Sequence, residues 1–282
     1  MNPKKLLSLA LALTKGLSLT ACGGGKAPSA SPSEAAGSAA PAESAAGSSD
    51  LAYVKDKGVL VVGITEFEPM DYQDKNGSWI GFDADMARAF AGSLGVECQF
   101  QVIDWDNKVL ELDGKNIDVV WNGMTLTDEV TSAMACSNAY CNNAQVVIVP
   151  SARAADYQSV DSVKDLAFAV EAGSAGKAEV EALGASYTEV QDQATALLEV
   201  SSGTADAAVI DSLMAAAMVG AGTSYADLTY TVGLNSEEYG VGFRKGSDLA
   251  AALNEFFQTA YADGSMQKTA ETYGVQAALI EQ

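Results

Sequence analysis

Histidine is absent from the 282-residue chain, which removes the Ser-His-Asp and Cys-His nucleophile systems and every zinc site built on imidazole. Cations are scarce: 16 lysines and arginines face 37 aspartates and glutamates, for a net charge of −21. Such a chain repels a polyanion, so nucleic acid is excluded as a partner. Cysteine is rare, with Cys22, Cys98, Cys136 and Cys141 the full set, and their spacing fits no metal pattern. Long apolar runs are missing too. The run from Leu6 to Leu13, followed by Lys15, falls short of the ~20 residues that a bilayer span needs.

What is present begins with an address. Lys4 and Lys5 precede that short apolar run, and small residues lead to Cys22, the pattern of an export signal. Leu19-Thr20-Ala21-Cys22 resembles the lipobox of bacterial lipoproteins. That resemblance implies cleavage after residue 21, an acylated Cys22, and a membrane anchor outside the cytoplasm. Residues 23–49 are almost entirely Gly, Ala, Ser, Pro and Glu, which cannot bury enough apolar surface to order the chain. We therefore expect a signal at 1–21 and a tether at 22–50. Residues 1–49 carry four lysines and two glutamates, a net +2, leaving −23 for the rest.

The remainder alternates. GVLVVGI, VECQFQVI, IDVVWNG, AQVVIVP, LAFAV and ADAAVI read as strands. Between them, residues 81–95, 105–116, 174–184 and 192–203 carry helical spacing, with Phe82, Met86, Ala89, Phe90 and Leu94 forming the first apolar stripe. With 48% hydrophobic residues the chain supports two cores, and the alternation predicts an α/β class with mostly parallel sheets flanked by helices. Ligands in such sheets sit beyond the carboxyl ends of strands. Phe67, the segment from Asn122 to Thr125, the loop from Ser174 to Gly176, and Asp211 all fall there. EAGSAGK is not a phosphate loop, since Glu171 and Ala178 stand where glycine and a hydroxyl are required. No cofactor and no metal is called for. Cys98 sits in an alternating strand, and the spacing leaves open a bridge between Cys136 and Cys141.

These motifs, in this order, resemble type II periplasmic solute-binding proteins of ABC importers, in the polar amino acid group. The resemblance rests on GVLVVGITEFEPMDYQDKNGSWIGFDADMARAFAGSLGV, NIDVVWNGMTLT, VEAGSAG, ADAAVIDS, EEYGVGFRKGSDL and ADGSMQKTAETYG, and spans roughly residues 53–274. It implies two α/β lobes joined by two crossover strands, AQVVIVP and YGVGFRKG. Residues 51–146 with 240–282 would form lobe 1, and 147–239 lobe 2.

By the same resemblance Phe67 packs on the ligand, and Asn122, Gly123, Met124 and Thr125 form the segment that receives its carboxylate. Ser174 and Gly176 close over that carboxylate, and Asp211 binds the ammonium. Trp121 is either ligand wall or lobe core. Glu66 and Glu68, beside Phe67, either face a cationic side chain or solvent. One departure stands out. Relatives with Gly-Met-Thr-x-Thr usually carry an arginine three residues later that grips the carboxylate, and here the position is Val130. A charged hydrogen bond of about 1.5–3 kcal/mol corresponds to about ten- to a hundredfold in affinity. Lys177, in the first turn after GSAG, is a candidate replacement, weighed against a solvated lysine.

The implied function is capture of a small polar solute, an amino acid by the resemblance, by lobe closure, followed by delivery to an ABC permease. The protein is expected to work as a monomer and without catalysis. The alternative on the same fold is a secreted enzyme resembling cyclohexadienyl dehydratase, with Glu66 or Asp211 as the acid.

Overall fold

The computed structural model describes residues 49–282. The expected signal, the expected lipidation site Cys22 and nearly all of the expected tether lie outside the described residues. Helix α1 (Asp50–Lys57) starts at Ser49, whose hydroxyl accepts from the Ala52 amide, and stops at Gly58 in the left-handed region, as capped helices do. Asp50, read from the sequence as the end of the tether, is buried and pairs with Arg244 at 3.0 Å.

The first half continues with β1 (Val59–Ile64), the small hairpin of β2 (Tyr72–Gln73) and β3 (Trp79–Ile80), and α2 (Phe82–Leu94). Next come β4 (Glu97–Val102), α3 (Lys108–Asp113), β5 (Val119–Thr125), α4 (Asp128–Ala133), β6 (Ala135–Cys136) and β7 (Cys141–Asn143). Helix α2 buries Phe82, Met86 and Phe90 at i, i+4 and i+8, the expected stripe for a helix lying on a sheet. Ala89, placed in that stripe from sequence, is exposed, and Ala87 and Ala91 fill the face instead.

The second half holds β8 (Gln145–Pro150), α5 (Val160–Val163), β9 (Ala167–Glu171), α6 (Ala175–Leu183), β10 (Ser186–Val190), α7 (Gln193–Ser202), β11 (Ala207–Asp211), α8 (Ser212–Met218) and β12 (Leu228–Gly233). The chain then returns as β13 (Glu237–Phe243), α9 (Leu249–Ala262) and α10 (Ser265–Tyr273).

Two sheets result, ordered β4-β1-β5-β13-β6 and β10-β9-β11-β8-β12, with β7 also on β13. In the first, β4, β1 and β5 run parallel while β13 is antiparallel to β5. The second has parallel β10, β9 and β11, with β8 antiparallel to β11 and β12 antiparallel to β8. Strands β5 and β11 are almost wholly buried, as parallel strands covered on both faces must be. The chain passes between sheets at Ala144 and again at 234–236, because Asn143 and Glu237 pair in the first sheet while Gln145 and Gly233 lie in the second. The crossings lie side by side: the Gln145 amide donates to Asn235 Oδ1 at 2.7 Å and the Leu234 amide to the Gln145 carbonyl at 2.8 Å.

Cys98, Cys136 and Cys141 are free thiols. Cys136 sits opposite Gly242 and Cys141 opposite Tyr239 on one edge of β13. Three residues of extended strand span about 10 Å, more than the ~7 Å a disulfide bridges.

Candidate functional site

The carboxyl ends of β1, β5, β9 and β11 converge on a cavity of about 460 Å³ between the two sheets, the place an open α/β sheet offers for a ligand. Phe67, which follows β1, forms part of its wall and meets Tyr239 edge to face with ring centroids 6.3 Å apart. Gly123 makes room for that ring. Its φ is +55°, and a Cβ there would lie 2.4 Å from Phe67 Cε1.

Most of the polar groups expected to receive a carboxylate are already engaged. Asn122 Oδ1 accepts from the Thr65 amide at 2.9 Å and hydroxyl at 2.8 Å, and its Nδ2 donates to the Thr65 carbonyl at 3.1 Å and Asp71 Oδ2 at 2.8 Å. It clamps β5 to the loop after β1. The Gly123 amide donates to Asp83 Oδ2 at 2.7 Å, as does the Tyr140 hydroxyl. The Thr125 hydroxyl donates to Glu237 Oε1 at 2.9 Å, and Met124, 1% exposed, gives the cavity apolar wall. Trp121 has no place in the cavity. It is fully buried in the core, edge to face with Phe257 at 5.6 Å, because the alternation along β5 turns it away from the cleft. Glu66 is half-buried beside the hairpin, off the cavity wall, and accepts from the Gln73 amide at 3.1 Å.

In the second half, Ser174 caps α6, its hydroxyl accepting from the Lys177 amide at 3.1 Å, and it lies on the cavity wall. Gly176 does not. It packs α6 against the sheet, where a Cβ would meet Gln145 Oε1 at 2.9 Å and the Val209 carbonyl at 3.0 Å. Lys177 borders the cavity, but its ammonium pairs with Glu189 at 2.9 Å. This candidate replacement for the missing arginine thus serves a neighbouring strand, β10.

Asp211, the last residue of β11, is buried on the cavity wall. Oδ1 accepts from Tyr239 at 2.7 Å, Gln145 at 3.0 Å and Asn143, and Oδ2 accepts from Gln193. Burial pushes its pKa up to about 7, and the nearby Glu237 adds to the rise, against the donors that lower it. Four neutral donors hold it in place, and a cation is the partner it lacks.

Two further cavity residues, Lys108 and Glu171, are not among the site residues expected from sequence. Lys108, 9% exposed, donates to the Gly173 carbonyl at 3.0 Å and the Trp105 carbonyl at 3.2 Å, with its ammonium 5.0 Å from the Trp105 ring centroid. It bridges the halves across the cleft, on a wall shared with Val130. Burial lowers its pKa, while Glu171, Asp106 and Glu129 oppose that. Gly173 permits the approach: its φ is +69°, and a Cβ would sit 2.6 Å from the Asp106 Cα. Glu171, the last residue of β9, is 3% exposed and its Oε1 has no hydrogen-bond partner among the described residues. Burial pushes it up to about 8, helped by Asp211 and Asp192 and opposed by the nearby Gln193 and Thr65 side chains. Among the described residues, no ion pair includes Asp211, Glu171 or Lys108.

Bacterial extracellular solute-binding proteins, family 3, match residues 60–276. The L-cystine-binding protein TcyJ of Escherichia coli (strain K12) is 28% identical over 235 residues, covering 78% of this chain and 84% of its own. An ABC uptake transporter substrate-binding protein from Streptococcus pneumoniae, solved with bound histidine, superposes with a TM-score of 0.74 at 30% identity, covering 82% of this chain and 98% of its own. The ancestral amino acid-binding protein AncCDT-1, a precursor of cyclohexadienyl dehydratase, gives 0.73 at 30% identity, covering 80% and 98%.

Proposed function

The chain belongs to family 3 of the bacterial extracellular solute-binding proteins, and from that premise we propose that it captures an amino acid between its lobes and hands it to an ABC permease. Asp211 takes the α-ammonium. Lys108 takes the carboxylate in place of an arginine at position 130, and Phe67 and Met124 pack on the body of the solute. The observation that carries this reading is Asp211: a buried, cavity-facing carboxyl positioned by four neutral donors and paired with no cation among the described residues.

Capture needs two half-sites that one solute bridges. Asp211 ends a strand of the second sheet and Lys108 begins α3, which packs on β5 of the first, so a zwitterion between them favours the closed arrangement over the open one. Lys108 already reaches the Gly173 carbonyl across the cleft, and a carboxylate that replaces this neutral acceptor makes a charge-assisted bond. Lipid attachment at Cys22 would hold the protein at the outer face of the membrane beside its permease, acting as a single chain. Relatives that bind cystine and histidine support an amino acid as cargo. The enzyme alternative gains little: the dehydratase precursor among the similar structures is itself an amino acid-binding protein, and Glu66 stands off the cavity wall.

Calorimetry of the purified chain against the standard amino acids tests the reading. One or more should bind, and Asp211→Asn, which keeps an acceptor for its donors, should weaken that binding by about a hundredfold, as expected for loss of a buried charged contact. Unchanged affinity in the variant would remove Asp211 from the site.

A further inference from the structure

We propose that Glu171 is the specificity-determining residue of the cavity, a second carboxylate that receives a cationic group on the ligand's side chain, so that the solute carries a net positive charge. This rests on the amino-acid reading above and narrows it.

The first ground is an unmade contact. Glu171 is 3% exposed, lies on the wall of the same cavity as Asp211, and leaves Oε1 without a partner among the described residues. Buried polar atoms are almost always satisfied, and an orphan on a ligand wall asks for a donor from the ligand. Asp211 makes the contrast, since three donors converge on its Oδ1 alone.

The second ground is charge balance. The buried ionisable groups on the cavity wall are Asp211, Glu171 and Lys108. A neutral zwitterion offsets Asp211 with its ammonium and Lys108 with its carboxylate, and Glu171 is left over. A second ammonium, or a guanidinium, completes the set. The other acids on the wall, including Asp106, Asp128 and Glu129, are exposed. Water solvates them, so they steer a cation toward the mouth without fixing its position. Glu171 and Asp211 end two strands that pair in parallel, β9 and β11. Both carboxyls line the cavity from neighbouring strands, and a ligand with cations at both ends of a short chain spans them.

Matched ligand pairs test the proposal on the full-length protein. L-arginine against L-citrulline and L-lysine against L-norleucine each remove the side-chain cation at nearly constant shape. Calorimetry should find the cationic member of at least one pair bound about tenfold or more tighter. Glu171→Gln should collapse that ratio toward one by weakening the cationic member alone. Equal or reversed preference in the parent overturns the inference while leaving the amino-acid reading intact, as does tight binding of some other neutral amino acid with neither pair bound. A ratio unmoved by Glu171→Gln also overturns it. If no amino acid binds at all, both fall together. Should Glu171→Gln fail to fold, the ratio in the parent decides.

Discussion

A methyl group at position 123 has nowhere to go. The backbone there is left-handed, and the added carbon would lie 2.4 Å from the Phe67 ring and 3.2 Å from the Tyr239 ring. Gly123→Ala should therefore destabilise the protein by about 2–5 kcal/mol, combining backbone strain with overpacking, read as a lower urea midpoint. Because Phe67 moves first, ligand binding should weaken by more than the stability loss alone explains. A wild-type midpoint would mean that the ring swings away freely. The same neighbourhood tells how far single residues were legible. Phe67 and Asp211 follow from the strand-end rule, since each comes at or just after the end of a buried strand. Asn122 and Gly123 obey the rule in position but not in role, because their hydrogen bonds to Thr65, Asp71 and Asp83 join residues about 40 to 57 positions apart in sequence. Such pairings leave no local trace. Glu171 was readable by the rule that found Asp211, as it ends LAFAVE just as Asp211 ends AAVID.

On the proposed reading, helices α3 and α4 decide how the ligand's carboxylate is held. Val130 lies in α4 on the cavity wall, packed with Trp105 and Val109 around the residue that begins α3, Lys108. A cation is supplied from the neighbouring helix where the resemblance expects one on α4. Lys108→Met should thus lower affinity about ten- to a hundredfold, and Lys108→Met with Val130→Arg should recover part of it. Lys177→Met should leave affinity near the parent value, because its ammonium already serves Glu189. Calorimetry on the three variants checks the assignment, and it fails if Lys177→Met proves the damaging change. At this scale the alternation of strands and helices was readable because buried parallel strands and amphipathic helices carry strong periods. The short strands β2, β3, β6 and β7 escape such a reading, and so do the longer β10 and β12. β10 is exposed along most of its length, and β12 is interrupted by a shift in register between Tyr230 and Gly233. Edge strands with one dry face give too weak a pattern.

Over the whole molecule, acidity and burial together set a dependence on pH. Residues 50–282 carry a net −23, yet several carboxyls lie out of water: Asp83 and Asp211, each pushed up to about 7 mainly by burial, and Glu171 up to about 8. In the unfolded chain such groups titrate near pH 4. A carboxyl raised in the folded state favours folding below its unfolded pKa, and that contribution is lost as pH rises toward the folded value. Each full pH unit of displacement is worth about 1.4 kcal/mol. The ligand-free protein should accordingly lose melting temperature between pH 5 and pH 9, and Glu171→Gln should flatten the upper part of the slope. A cationic solute reverses the balance. Glu171 faces Asp211 and Asp192 in its own lobe and Lys108 from the other. An added positive charge stabilises the ionised carboxyls, so binding releases protons and affinity rises from pH 6 to pH 8. Calorimetry in buffers of different ionisation enthalpy reads that release directly. A melting temperature that climbs through this range, with no proton released on binding, would place the ionised form of these acids in the empty protein.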